Sequence, residues 1–151
     1  MIVYRLCSSA WKEDLSGRGA EITGGRWNSK GTAVVYTSSS RALCVAEIAV
    51  HTPLGCLPVN YCMVEIYIPD TSAIKEILPL VLPQKWQSFE NRHKTQLMGD
   101  TFIQENIVLM LKVPSAVIQG DFNYLINPRH KDIRTVQIKN TEDFGFDERL
   151  F

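Results

Sequence analysis

One carboxylate in a mostly apolar stretch is the first residue of this sequence whose type and surroundings suggest chemistry. Glu47 lies in segment 41–51, where most of the other residues are hydrophobic. A carboxylate among apolar neighbours costs free energy unless it is paired or hydrogen-bonded, so such a residue is either functional or half of a buried ion pair. Both interpretations stay open at this point, with Arg41 and Arg5 as candidate partners for an ion pair.

Two residues upstream of Glu47 carry side chains suited to a nucleotide. Arg26 follows two glycines, Gly24 and Gly25, which suit a loop that folds closely around a ligand. Its guanidinium offers a fork of donors for a phosphate, although a solvated loop arginine is the commoner case. Tyr36 ends a predicted strand, where it can stack on a ring or donate its hydroxyl, although a core role is commoner.

Other familiar catalytic and cofactor patterns are absent. Ser115 follows Pro114 without a G-x-S-x-G motif or a Ser-His-Asp set around it. The three histidines, His51, His93 and His130, are scattered. The four cysteines form no C-x-x-C pair, which argues against a zinc site, and the glycines match neither a P-loop nor a dinucleotide fingerprint.

The elements that must position these residues are short. Serines at 38–40 offer an N-cap for a helix over about 41–51, with Pro53 just beyond its end. This helix is apolar on every face, which predicts that it is buried. Glu47 is then a carboxylate enclosed by the core.

The rest of the chain mixes short strands with a few helices. Strands are predicted at 2–6, 33–37, 59–69, 108–113, 116–118 and 135–139. Helical segments are predicted at 85–91 and 95–105, a loop at 11–21 and turns at 121–128. There is no regular βαβ rhythm, so residues 1–151 are predicted to form one compact α+β domain.

Composition limits the classes of function. Sixteen basic residues balance sixteen acidic ones, which argues against direct binding of nucleic acid. The N-terminus lacks the pattern of a secretion signal, and no apolar run reaches membrane-spanning length. We therefore expect a soluble cytoplasmic protein that makes no membrane contact. A net charge of zero suits a protein that is covered by a partner.

Taken together, these residues resemble the RES domain family, the toxin half of RES–Xre toxin–antitoxin pairs. The matching segments are Tyr4-Arg5, Gly17 with Gly19-Ala20, Gly24–Ser29 with Gly31, Val35–Thr37, Ala46-Glu47 through His51, Val113–Val117, Asn123–Pro128, His130, and Phe146-Asp147 with Arg149-Leu150. The family is named for an arginine, a glutamate and a serine, which fall here on Arg26, Glu47 and Ser115. The resemblance covers the whole chain in order. Phe102 departs from it, because the family often carries tryptophan there.

The resemblance implies a fold similar to that of the ADP-ribosyltransferases and a pocket for NAD. Arg26, Tyr36 and Glu47 are the implied catalytic residues. Arg26 and Tyr36 also bind substrate, together with Ser115 and Asn123. NAD+ is then a substrate and no cofactor or metal is needed. It is consumed by hydrolysis, by phosphorolysis with inorganic phosphate as co-substrate, or by transfer of ADP-ribose to a protein.

The resemblance also implies a partner. An Xre-like antitoxin with a helix-turn-helix domain blocks the pocket and carries the DNA binding, and a homodimer is expected within the complex. Hydrolysis or phosphorolysis is the preferred activity, and mono-ADP-ribosylation of a cellular protein is the alternative. Two other classes remain as competitors: a ribonuclease toxin, for which the charge balance gives no sign, and a non-enzymatic binding module with Glu47 in a structural ion pair.

Overall fold

The computed structural model describes all 151 residues, and its regular elements are short. In chain order they are β1 (Ile2–Ser8), α1 (Arg18–Thr23), β2 (Val35–Ser38), α2 (Arg41–Ala49), β3 (Tyr61–Tyr67), β4 (Ile74–Glu76), α3 (Arg92–Glu105), β5 (Met110–Pro114), β6 (Phe122–Ile126) and β7 (Gln137–Phe144). Single 3-10 turns lie at Ser9–Trp11, Pro79–Val81, Lys131–Thr135 and Glu148–Leu150.

All seven strands join one mixed sheet in the order β4-β5-β6-β2-β1-β3-β7. Only the β4–β5 pair is parallel, and every other neighbouring pair is antiparallel. With three helices beside this sheet, the predicted α+β class is confirmed. The register of β2 and β6 places Ser38 opposite Asn123, so residues from the first and last thirds of the chain lie side by side.

Apolar side chains cover both faces of the sheet. Successive residues of a strand point to opposite faces, and Met110 and Ile126 belong to one core cluster while Leu111 and Leu125 belong to another. Phe102 of α3 lies in the second cluster. This residue, where the family often carries tryptophan, is 2% exposed and therefore fills a core position.

Several predicted elements are confirmed. The strands predicted at 2–6, 33–37, 59–69, 108–113 and 135–139 are present, and their ends differ from the prediction by at most three residues, except that the last strand extends to Phe144. The helix predicted at 95–105 begins three residues earlier, and the one predicted at 41–51 ends at Ala49. The C-terminal tail packs against β3 and β7, because the Phe146 ring contacts the rings of Tyr61 and Phe144.

Other predictions of local structure were wrong. Segment 11–21 contains the start of α1, segment 116–118 is not a strand, and 85–91 forms turns without a helix. The predicted turns at 121–128 include β6. Asparagines and a proline suggested turns there, but the chain continues as a central strand whose Asn123 side chain is buried and hydrogen-bonded.

The prediction that α2 is buried on every face was also wrong. Only Leu43 and Cys44 are buried, while Ala42 and Val50 are exposed. The helix packs one face on β1 and β2, and its other face is only partly covered. Glu47 is half-buried at the boundary between the two.

Candidate active site

A cleft of about 560 Å³ opens beside β1, β2 and α2. The glycine-containing segment between β1 and β2 forms one of its walls. The predicted site residues that line it are Arg26, Tyr36, Glu47 and Asn123, and they share it with Tyr4, Arg5, His51 and Tyr61, among others. Its volume lies within the range typical of small-molecule sites. The chain therefore brings four of its five predicted site residues to one concavity.

Glu47 is held by two side chains that arrive from the far end of the sequence. Ser115 Oγ lies 2.9 Å and Asn123 Nδ2 lies 2.6 Å from the same carboxylate oxygen, Oε1. No hydrogen bond reaches Oε2, and Glu47 lines the cleft. The carboxylate is thus fixed through one oxygen and keeps the other for a ligand.

The hydroxyl of Ser115 has a defined direction. Its oxygen accepts hydrogen bonds from the backbone N–H groups of Val117 and Ile118, both at 3.0 Å. These bonds occupy the acceptor positions of the hydroxyl, so its hydrogen is directed at Glu47. Ser115 is 5% exposed and is not among the cleft-lining residues, so it contacts the site through Glu47.

The amide of Asn123 is oriented in the same way. Ser38 Oγ donates to Asn123 Oδ1 at 2.7 Å, which leaves the Nδ2 group to donate to Glu47. Ser38 and Asn123 face each other in register on β2 and β6, and both are buried. Sequence reasoning missed Ser38 because its partner lies 85 residues away.

Neither candidate ion-pair partner reaches Glu47. Arg41 pairs with Glu65 and Glu142 on the neighbouring strands β3 and β7. The Arg5 guanidinium donates to the backbone carbonyl of Asp14. Glu47 forms no salt bridge, so the interpretation as half of a structural ion pair does not describe this carboxylate.

Tyr36 presents its ring to the cleft while its hydroxyl is used inside the protein. The hydroxyl donates to Asn28 Oδ1 at 2.8 Å and accepts from the backbone N–H of Trp27 at 2.9 Å. Burial raises the pKa of this phenol, so the hydroxyl stays protonated. A Cβ at Gly25 would overlap the Tyr36 hydroxyl, which explains why glycine occupies this point of the loop.

Asn28 is the main residue of this loop that sequence reasoning left without a role. It is fully buried, and its Nδ2 group donates to the carbonyl oxygens of Ala20, Ser29 and Thr32. Its place in the Gly-Gly-Arg-Trp-Asn-Ser segment was visible in the sequence. Its contacts were not, and they show that it holds the glycine loop against Tyr36.

Arg26 lines the cleft, but its guanidinium also binds the protein itself. Nη1 donates to the carbonyl oxygens of Trp86 and Ser88, and Nη2 donates to that of Gln87. Partial burial lowers the pKa of Arg26, and the nearby charge of Arg92 lowers it further. The predicted contact of Arg26 with a phosphate stays a prediction, and the structure adds a second task for the residue, which is to hold segment 86–88.

Helix α3 anchors the same loop from outside. Thr95 Oγ1 donates to the carbonyl of Arg26, while Arg92 Nε and Gln96 Nε2 both donate to that of Gly25. A Cβ at Gly99 would overlap the carbonyl oxygen of Trp27, so α3 and the loop touch backbone to backbone. The loop that carries Arg26 is therefore rigidly placed.

Two thiols line the cleft, those of Cys7 and Cys44. Burial raises the pKa of both, that of Cys44 to about 11, so their thiolates are scarce near neutral pH. No three His, Cys, Asp or Glu side chains are grouped as metal ligands would be. A fixed carboxylate with one open oxygen is suited to holding a hydroxyl and to stabilising positive charge that develops nearby.

Comparison with known proteins gives matches over nearly the whole chain. The family model described as RES domain matches residues 2–147. The "Prs ADP-ribosylating toxin" of Sphingobium sp. (strain YBL2) is 38% identical over 140 residues, which cover 91% of this chain and 87% of that protein. "Toxin Res" of Pseudomonas putida is 35% identical over 153 residues, and the match covers 100% of each chain.

A solved structure shares the fold. A chain in the crystal structure of the M. tuberculosis MbcT–MbcA toxin–antitoxin complex superimposes with a TM-score of 0.75 at 21% identity, covering 95% of this chain and 84% of that one. At this identity the similarity shows the fold alone. No helix of the present chain has both the length and the apolar character needed to cross a membrane.

Proposed function

The chain belongs to the RES domain family, and we propose that it is the NAD+-degrading toxin of a type II toxin–antitoxin system. In this proposal it acts in the cytoplasm and cleaves the bond between nicotinamide and ribose, as a glycohydrolase or a phosphorylase. NAD+ is its substrate, and no cofactor or metal takes part. The curated relatives named as toxins, at 33–38% identity, support the biological class.

The observation that supports this chemistry is that the protein holds the Glu47 carboxylate through only one of its two oxygens. Ser115 and Asn123 both donate to Oε1, and Oε2 has no partner in the protein. An oxygen fixed in this way can accept a hydrogen bond from a ribose hydroxyl. It also places negative charge beside the sugar carbon as that carbon becomes positive.

The proposed reaction needs only this one carboxylate. The bond from C1′ of the ribose to the nicotinamide nitrogen breaks, and both electrons leave with nicotinamide, whose pyridinium charge is thereby neutralised. The leaving group needs no proton, so the general acid of a glycosidase has no counterpart here. Water then adds to C1′ and loses a proton to give ADP-ribose, or phosphate adds to give the 1-phosphorylated ADP-ribose.

The other predicted residues have supporting roles in this scheme. The Tyr36 ring faces the nicotinamide, since its hydroxyl is already bound to Asn28. Arg26 binds a phosphate group through guanidinium N–H groups that the carbonyls of segment 86–88 do not use. Ser115 and Asn123 act chiefly by fixing Glu47, and Asn123, which also lines the cleft, contacts the ribose.

Transfer of ADP-ribose to a protein is the second candidate function. The observation in its favour is the name of the relative that is 38% identical, "Prs ADP-ribosylating toxin". In that case a nucleophilic side chain of a target protein attacks C1′ in place of water or phosphate. The bond that breaks and the use of Glu47 are the same.

The proposed partner is an Xre-like antitoxin with a helix-turn-helix domain, in a complex that contains a toxin homodimer. The solved neighbour was crystallised as a toxin–antitoxin complex, which supports an antitoxin of some kind. Exposed apolar side chains also continue from α2 past its end, at Val50, Leu54, Leu57 and Val59. A covering protein would remove this surface from water.

The test is incubation of the purified chain with NAD+, with and without inorganic phosphate, followed by identification of the product. ADP-ribose indicates hydrolysis, a phosphorylated ADP-ribose indicates phosphorolysis, and labelled protein in an added cell extract indicates transfer. Intact NAD+ under all three conditions would overturn the proposal. A parallel incubation with RNA tests for a ribonuclease, of which the balanced net charge gives no sign.

A further inference from the structure

A second, smaller cleft of about 320 Å³ adjoins the first. The two share Thr23 and Gly24, which form the ridge between them. The other residues that line the second cleft are Lys30, Phe89, Glu90, Arg92, His93 and Gln96. Only one of them is hydrophobic, so this cleft differs in character from the first, and a ligand longer than the first cleft can extend into it over the ridge.

Two cations of this second cleft have no carboxylate partner. Lys30 forms neither a hydrogen bond nor a salt bridge, and Arg92 uses only Nε, on the carbonyl of Gly25 at 3.1 Å. The Arg92 charge also lies close enough to Arg26 to lower the pKa of that residue. The negative charge of Glu47 offsets part of this effect at Arg26, but Glu47 lies in the first cleft. The one carboxylate that lines the second cleft, Glu90, is bound to neither Lys30 nor Arg92.

An unpartnered aromatic ring stands at the same cleft. Phe89 is 80% exposed, although it directly follows the segment that Arg26 holds in place. A phenylalanine ring in solvent offers a face on which a nucleobase can stack, and such stacking stabilises binding without selecting the base. Two cations and a free ring on one cleft match the phosphates and the base of a nucleoside diphosphate.

We propose that the second cleft binds the adenosine diphosphate half of the dinucleotide, with Lys30 and Arg92 on its phosphates and Phe89 against its base. The inference rests on the proposed function, because it places the nicotinamide end over Glu47 in the first cleft. It adds three residues that contact substrate away from the bond that breaks. Their contribution is therefore to the affinity for substrate, which the binding of an unreactive ligand measures directly.

The test is calorimetric binding of ADP, which lacks the reacting bond, to the wild-type chain and to Lys30→Gln and Arg92→Gln. Lys94→Gln is the matched control, because Lys94 is an exposed cation on the same helix that does not line either cleft. We expect ADP to bind about fivefold to tenfold more weakly to each cleft variant and equally well to the control. Adenosine should bind weakly and alike to all four proteins, because it has no phosphate.

Equal affinity of ADP for all four proteins would overturn the inference. Inorganic phosphate that binds as tightly as ADP, with the same dependence on Lys30 and Arg92, would also overturn it, because the cleft would then serve free phosphate. The result is separable from the proposed function. If the cleft variants weaken ADP binding but the protein leaves NAD+ intact, the second cleft is supported and the proposed reaction is rejected. If the protein cleaves NAD+ but the variants bind ADP as tightly as the wild type, the reaction is supported and the second cleft is rejected.

Discussion

The hydroxyl of Ser115 donates to Glu47 Oε1 at 2.9 Å, across 68 positions of the sequence. Two backbone amides of the turn that follows Ser115 fix the direction of this hydroxyl. The serine therefore acts on the carboxylate, and the carboxylate faces the cleft. In the proposed reaction Glu47 contacts the substrate and Ser115 positions Glu47, so a change at Ser115 should act through the carboxylate.

Replacing Ser115 with alanine should lower kcat for NAD+ cleavage about tenfold and leave KM within about twofold. The lost hydrogen bond to a charged group is worth roughly 1.5–3 kcal/mol, part of which acts on the placement of Glu47. Steady-state kinetics measures both constants. Ser40→Ala is the control, because it removes a hydroxyl that caps α2 at Leu43 but does not touch Glu47. An unchanged kcat in Ser115→Ala would reject the positioning role.

Replacing Arg26 with alanine should affect two properties. Segment 86–88 loses the three bonds that its carbonyls accept, so amide hydrogen exchange around it should become faster. KM for NAD+ should rise by about tenfold or more if a phosphate contact is also lost. Gln87→Ala is the control, since it keeps the backbone carbonyl and its side chain is not part of the contact. Faster amide exchange with an unchanged KM would show that Arg26 has a structural role and does not bind the phosphate.

Replacing Gly99 with alanine should destabilise the protein by about 1–3 kcal/mol, because the new Cβ would overlap the carbonyl oxygen of Trp27. Gly19→Ala in α1 is the matched control. Its Cβ would meet no atom within 4 Å, and the substitution should stabilise the helix by up to about 1 kcal/mol. Urea denaturation measures both changes. Equal stability of the two variants would contradict the close contact between α3 and the loop.

The buried thiol of Cys44 should make stability fall at alkaline pH. Burial raises the pKa of this thiol from 9.0 to about 11. Between these values the unfolded chain releases the thiol proton while the folded chain keeps it, so rising pH favours unfolding, by at most about 1.4 kcal/mol per pH unit. The contribution is fully present below pH 9. Cys44→Ala should show a shallower decline in unfolding free energy over this range, and parallel curves would refute the assignment.

Local pattern was sufficient to predict the elements that carry the site, and it failed where long-range contacts decide the structure. The serine cap and apolar run predicted α2, and alternation predicted β3. Strand β6 was missed because its asparagines suggest turns in isolation. In the folded chain Asn123 is instead a buried member of a central strand, with hydrogen bonds to Ser38 and Glu47.

The residues that line the cleft were easier to predict than the hydrogen bonds among them. Arg26, Tyr36, Glu47 and Asn123 all line one cleft. The first three were candidates from the sequence itself, and Asn123 was implied by the family resemblance. The sequence could not show that Arg26 holds carbonyls about 60 positions away, or that α2 fully buries only Leu43 and Cys44. Both depend on which elements the sheet order places side by side, and single-segment patterns carry no information about that order.

The most direct test of the account is the rate of NAD+ consumption by Glu47→Gln. Glutamine keeps the shape of the side chain and removes its charge, so the protein should unfold within a few degrees of the wild-type midpoint. Loss of charge stabilisation at the ribose should lower kcat by roughly a hundredfold or more. A folded Glu47→Gln variant that consumes NAD+ at the wild-type rate would contradict the central claim that this carboxylate promotes cleavage of the nicotinamide–ribose bond.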